Sequence, residues 1–275
     1  PSNTELPLLS KGLPRDPNQL LRYVQERLQV LGGVGMMSLD ERAYLQYQAD
    51  CLLVSTGWYE VPLGRRNVGV KLVGYLNYRK QLPLLLEILN DRRPDRFWRR
   101  VWGGDFRHGG ILRRNVIEYG IRLMGVVDEQ TTQVLVRVLQ EDPYFEARAI
   151  AAQVLGELAT ANVELEETLL ASLSDRSPYV VVEVIRALGR VACTSRVLEA
   201  LRSFYLHTYW LCRQEVVTAL RVLLERGIVK TTDLAEDLEK ILAIAPYFKP
   251  EFPLQENIRQ LAAVMERYEE SSEPI

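Results

Sequence analysis

A helical repeat that is interrupted once constrains the fold of this chain more than any other feature. Five apolar segments align so that they end at residues 74, 125, 156, 189 and 221, which gives steps of 51, 31, 33 and 32 residues. Before each end point, apolar residues recur with the spacing of one broad helix face, and the residue three positions earlier is polar. No stretch alternates with a period of two, so the sequence predicts an all-α chain of repeated helix pairs.

Each repeat is predicted to hold a first helix, which ends at the aligned position, and a second amphipathic helix after a short break. Asp142-Pro143 and Ser177-Pro178 place a capping side chain directly before a proline, a pattern that predicts the start of a helix. The second helices are predicted at about residues 81–89, 131–139, 165–173, 195–206 and 232–244.

Helical caps are predicted at both ends of the repeats, because a repeat cannot bury its apolar face alone. One helix is predicted from an Asn18 cap to Leu31, and the next follows a capping box of Ser38 and Glu41. The last helix is predicted near residues 254–268. The predicted parts are an extended arm (1–17), N-terminal capping helices (18–64), repeats (65–245) with an insertion at 91–110, and a C-terminal capping helix with an acidic tail (246–275).

The segments at residues 142–158 and 175–191 resemble HEAT repeats, because their first helices end in Leu-Gly after an Asp-containing turn. The resemblance covers about two-thirds of the chain, from Arg65 to Ala245. It implies an armadillo-like α-solenoid, a right-handed superhelix of antiparallel helix pairs that binds other proteins.

The same resemblance implies an Asp in the turn between repeats and an Arg on the first helix. Ile117 and Val181 stand where this arginine belongs, so a continuous ladder of Arg–Asp contacts is not expected. The residues that fit the family pattern are Asp91, Asp142 and Asp175 in the turns and Arg66, Arg148 and Arg213 on the first helices.

Bulk composition is that of a soluble folded protein with a net charge of −2. The charge is unevenly placed, because residues 92–114 carry eight arginines and two aspartates, whereas residues 231–275 carry ten acids and four bases. The three cysteines have no metal-binding or paired spacing and are expected to be buried thiols. No signal peptide or membrane-spanning stretch is expected, so we predict a cytoplasmic protein.

Sequence patterns favour a chain without catalytic activity, metal or cofactor. His108 and His207 are the only histidines, and no zinc, nucleotide-binding or nucleophile motif occurs. Asp105 lies in the sequence near Trp102 and His108, but a pairing with a neighbouring arginine explains it better than a general base does.

The insertion reads DRRPDRFWRRVWGGDFRHGG, and its four glycines are expected to turn the chain back into the repeat. Arginine and tryptophan dominate many protein interfaces, so we predict that this segment binds an acidic surface of a protein partner. Alternatively, Trp98 and Trp102 only fill a packing gap. The candidate partner-binding residues are Arg92, Arg93, Arg96, Trp98, Arg99, Arg100, Trp102, Arg107 and His108, with Trp58 and Tyr59 as secondary candidates.

The leading functional hypothesis is a protein-interaction scaffold or an assembly and chaperone-type adaptor that is a subunit of a larger complex. Two alternatives stay open. The chain is also similar to the HEAT-like phycobilin lyases, which implies a tetrapyrrole ligand. It is similar in architecture to the HEAT-like DNA glycosylases as well, although a broad basic surface for nucleic acid is not evident.

Overall fold

Helices account for all the regular structure that the computed structural model describes. It covers residues 13–54, 63–91, 105–125 and 127–271, without the side chains of residues 54, 105–108, 251 and 252. Within these ranges there are thirteen helices and no strand, as the repeat pattern predicts. The fold class is therefore all-α.

The helices alternate along the chain with short turns and three 3₁₀ segments. The helix α5 (Asp105–Asn115) continues through a π-helical turn (Val116–Ile121) and a last α-helical turn (Arg122–Met124). The other helices are α1 (Pro17–Leu31), α2 (Leu39–Val54), α3 (Leu63–Tyr75), α4 (Leu82–Asn90), α6 (Glu129–Glu141), α7 (Phe145–Leu158), α8 (Val163–Ser172), α9 (Pro178–Val191), α10 (Arg196–Arg202), α11 (Trp210–Glu225), α12 (Thr231–Ile244) and α13 (Glu251–Glu270).

The chain divides into two compact units. The first comprises residues 1–134 and 142–147, and there α3 packs against α1, α2 and α5. The second comprises residues 135–141 and 148–275. In this second unit the first helices α9, α11 and α13 pack in sequence, and the second helices α8 and α12 cover α9 and α13.

The apolar positions of the repeat form the core of the second unit. Val184, Ile185 and Leu188 of α9 are buried, as are Val216 and Leu220 of α11. Two aligned glycines, Gly156 and Gly189, permit the helices of this unit to approach closely. A Cβ at Gly156 would lie 2.6 Å from the Cα of Ala187, which is a clash with backbone.

Three predictions about helix starts and turns are corrected by the structure. Asp16, not Asn18, caps α1, because its carboxylate accepts hydrogen bonds from the N–H groups of Asn18 and Gln19. The helix after Asp142-Pro143 begins only at Phe145. The insertion does not remain a loop as far as Gly110, because α5 already begins at Asp105.

A buried arginine of a first helix binds the carboxylate of the following turn, and we call this contact a rung. Arg148 of α7 reaches Asp175 with its Nε at 2.7 Å and its Nη2 at 2.9 Å. The N–H of Ser177 also donates to Asp175. Burial alone would raise the pKa of Asp175, but the hydrogen bonds from Arg148 and Ser177 outweigh it and lower the pKa.

His207 replaces the aspartate at the next rung of the second unit. It stands fourteen residues before the aligned residue 221, as Asp175 does before Gly189. The N–H of Tyr209 donates to its Nδ1 at 3.1 Å, which matches the bond from Ser177 to Asp175. The corresponding first-helix residue is the buried Val181, so both members of the charged pair are replaced at this rung.

We expect Gly156→Ala to destabilise the protein. The added methyl group would meet the backbone of Ala187, and overpacking of this kind costs about 1–3 kcal/mol of unfolding free energy. The measurement is urea unfolding. Gly64→Ala is the matched control, because no heavy atom lies within 4 Å of that site, and it should leave the unfolding free energy unchanged or slightly raised. Equal effects of the two changes would contradict the close approach.

We expect Val181→Arg and His207→Asp to rebuild a rung when they are combined. Val181→Arg alone buries a guanidinium without an acid and should cost about 3–5 kcal/mol. Adding His207→Asp should recover part of this loss, with a favourable coupling of about 1–3 kcal/mol in a double-mutant cycle. Additive effects of the two substitutions in chemical unfolding would show that positions 181 and 207 do not face each other as Arg148 and Asp175 do.

Candidate partner-binding site

The arginine–tryptophan segment, residues 92–108, lies mostly outside the described residues. Residues 92–104 are not described, and neither are the secondary candidates Trp58 and Tyr59. Arg107 and His108 belong to the first turns of α5, but their side chains are outside the description. Their assignment to partner binding therefore stays a prediction. The structure does describe the residues on either side of this segment.

Both ends of the segment are held by one buried arginine of α5. Arg113 binds the carboxylate of Asp142 with two hydrogen bonds, 2.6 Å from Nε and 2.9 Å from Nη2. Its Nη1 also donates to the carbonyl oxygen of Asp91, the residue that precedes the segment, at 3.4 Å. Asp142 is 2% exposed and Arg113 8%, so this contact is shielded from solvent. The base of the segment is thus a fixed part of the first unit.

The contact between Arg113 and Asp142 is also a rung, one that the family pattern did not predict. The family pattern expects the arginine at Ile117, and Arg113 lies four residues earlier, one helical turn away on the same face. The N–H of Tyr144 donates to Asp142 just as the N–H of Ser177 donates to Asp175. A search for arginine one turn before each expected position would have found it.

Gly110 belongs to the packing of this base. A Cβ there would lie 2.4 to 2.7 Å from atoms of the Tyr144 side chain, so α5 can approach the turn before α7 only with glycine at this position. The prediction that this glycine serves to turn the chain is therefore wrong.

A second arginine of α5 is also engaged by acids. Arg114 pairs with Glu118 at 2.8 Å and with Glu146 at 3.5 Å. At least two of the eight arginines in residues 92–114 are therefore paired within the first unit. The side chains of the other six, at positions 92, 93, 96, 99, 100 and 107, lie outside the described residues.

The cysteines differ in exposure, which corrects part of the sequence-based expectation. Cys212 is buried, and burial raises the pKa of its thiol to about 11. Cys51 is half-buried, whereas Cys193 is exposed in the turn after α9. All three are free thiols.

The described part of the chain offers neither a metal site nor a membrane span. No three His, Cys, Asp or Glu side chains are grouped there closely enough to hold a metal ion. Among the described helices, none combines the length and the apolar character needed to cross a membrane.

A comparison with protein families shows which part of the chain matches a known repeat. Residues 132–221 match the family model described as HEAT repeats, a range that begins in α6 and ends in α11. A comparison with curated proteins found no match. The matched range contains the rung between Arg148 and Asp175 and the close contact of Gly156 with α9. Within the all-α fold, residues 132–221 therefore match HEAT repeats.

Proposed function

We propose that this chain is a protein-interaction scaffold, an assembly factor or adaptor without catalysis of its own, that acts in the cytoplasm. HEAT repeats commonly bind other proteins, since stacked helix pairs present an extended surface. Residues 132–221 carry such repeats. The free thiols Cys51, Cys193 and Cys212 are in keeping with a reducing compartment.

The fixed base of the arginine–tryptophan segment is the observation that supports its binding role most directly. Arg113 ties the carbonyl of Asp91 to the carboxylate of Asp142, so a partner would meet a segment whose base is already ordered. Because the base of the segment is ordered before a partner binds, association loses less conformational entropy.

An acidic protein surface is the partner that this chemistry favours. Arginine forms bidentate bonds with carboxylates, and tryptophan supplies apolar area at the centre of many interfaces. Arg113 and Arg114 are occupied by acids of the chain itself, so we assign partner contact to the other arginines. The proposed contact residues are Arg92, Arg93, Arg96, Trp98, Arg99, Arg100, Trp102, Arg107 and His108, with Trp58 and Tyr59 in a secondary role.

We expect Trp98→Ala and Trp102→Ala to weaken partner binding without unfolding the protein. The partner is first captured from the native lysate, identified by mass spectrometry and purified, and its affinity is then measured by calorimetry. Each substitution should lower the affinity by about tenfold or more, the size of effect expected of an interface hot spot. The change in melting temperature should stay below about 2 °C, because a residue that only binds contributes little to folding.

Tyr268→Ala is the matched control, an exposed aromatic residue of α13 outside the segment, and it should leave the affinity unchanged. A sharp fall in melting temperature for Trp98→Ala or Trp102→Ala, with unchanged affinity, would instead establish that the tryptophans only pack.

The captured sample also tests the two other classes of ligand. A visible absorption band would favour a tetrapyrrole, and capture that is lost on nuclease treatment would favour nucleic acid.

A further inference from the structure

Three helices of the second unit begin along one edge, which we call the N-terminal edge. It comprises the turns at residues 175–179, 207–213 and 247–250, which lead into α9, α11 and α13. The rings of Tyr179 and Tyr209 lie 5.6 Å apart, so the first two turns are neighbours. Arg213 donates to the carbonyl oxygen of Lys249, which joins the second turn to the third.

Exposed aromatic rings lie along this edge. Tyr179 is 54% exposed and Trp210 is 37% exposed, and the ring of Tyr209 lies between them, 6.3 Å from the ring of Trp210. Tyr247 is 84% exposed in the third turn. The protein core does not need rings placed in this way, whereas amphipathic rings at an exposed site are typical of interfaces.

Among the described side chains, no acid binds the arginine beneath these rings. Arg213 is at the family's arginine position and is 5% exposed, like Arg148. Arg148 binds Asp175, but Arg213 reaches only carbonyl oxygens, those of His207, Thr208 and Lys249. Within the described residues its Nε is buried without a hydrogen-bond partner. Arg213 is therefore a buried cation without a carboxylate partner in the described part of the chain.

The ring of Phe248 supplies a partial substitute for that carboxylate. The guanidinium carbon of Arg213 lies 3.9 Å from the centroid of this ring. A cation–π contact contributes less than a bidentate bond to a carboxylate in a buried site. Desolvation by burial accordingly lowers the pKa of Arg213.

Two exposed cations, Arg176 and Lys249, add positive charge to the edge. Asp175 in the first turn is already paired with Arg148, and the side chain of Glu251, the first residue of α13, is outside the description. The starts of three helices add the positive ends of their dipoles. One turn further into the helices, Glu183 and Glu215 both contact Arg186, so the positive character is confined to the edge itself.

We propose that the N-terminal edge of the second unit is a docking surface for an acidic linear segment of a protein partner. Its carboxylates would lie against Arg176 and be attracted by the buried charge of Arg213, and its apolar side chains would cover Tyr179, Trp210 and Tyr247. The proposal rests on the scaffold function above, but it assigns a surface separate from the arginine–tryptophan segment.

The test uses the full chain and two fluorescent peptides of about twelve residues, a length typical of linear motifs. One alternates glutamate with leucine and tyrosine, and the other has lysine in place of glutamate. Fluorescence anisotropy is measured at low ionic strength, where exposed charges are least screened. The glutamate peptide should bind at least about tenfold more tightly than the lysine peptide.

The edge variant combines Arg176→Glu with Tyr247→Ala, two exposed positions where folding should not change. It should weaken binding of the glutamate peptide by about tenfold or more. The control variant combines Arg259→Glu with Tyr268→Ala on α13, with the same change of charge and aromatic area. It should bind as the unmodified chain does.

A third variant, Arg99→Glu with Arg100→Glu, separates this surface from the arginine–tryptophan segment. Binding that is lost in this variant and retained in the edge variant would overturn the docking surface and leave the scaffold function standing. The docking surface is equally overturned if the glutamate peptide binds no better than the lysine peptide. If the edge variant alone loses the peptide, the surface is established whether or not the segment binds a partner of its own.

Discussion

The buried bond between a first-helix arginine and the aspartate of the following turn is the constraint on which the repeat depends. A carboxylate that is almost fully buried, such as Asp142, is tolerated only because Arg113 binds it at two points and the N–H of Tyr144 binds it at a third. The bond therefore fixes the turn to the helix and, with it, the place where the next helix begins. Arg148 and Asp175 do the same in the second unit.

Where this bond is missing, the chain has either replaced both of its members or kept the arginine without a described acid. Val181 and His207 replace the charged pair with two uncharged residues, and the imidazole retains the hydrogen bond that orders the turn. Arg213 keeps the charge without the acid and relies on carbonyl oxygens and the ring of Phe248. The two cases differ in consequence, because only the second leaves a buried charge that an external carboxylate could balance.

Sequence periodicity predicted the helices well and the ionic contacts poorly, for a physical reason. Apolar spacing determines which face of a helix is buried, so Ile185 and Leu188 could be assigned to the core from the pattern alone. A long arginine side chain can reach the same acid from one helical turn away, as Arg113 does, so a fixed register misses it. Gly110 was misread for a similar reason, since only the position of Tyr144 shows that its missing side chain serves packing.

Charge pairing, and not the number of arginines, separates structural from partner-facing residues in this chain. Arg113, Arg114 and Arg148 lie within hydrogen-bonding or ion-pair distance of acids in the same unit, so their charges contribute little to the outside field. Arg176 is exposed, and Arg213 has no carboxylate among its described partners, so their charges remain to act on another molecule. An acidic partner would therefore be attracted to the N-terminal edge by arginines that no described carboxylate binds.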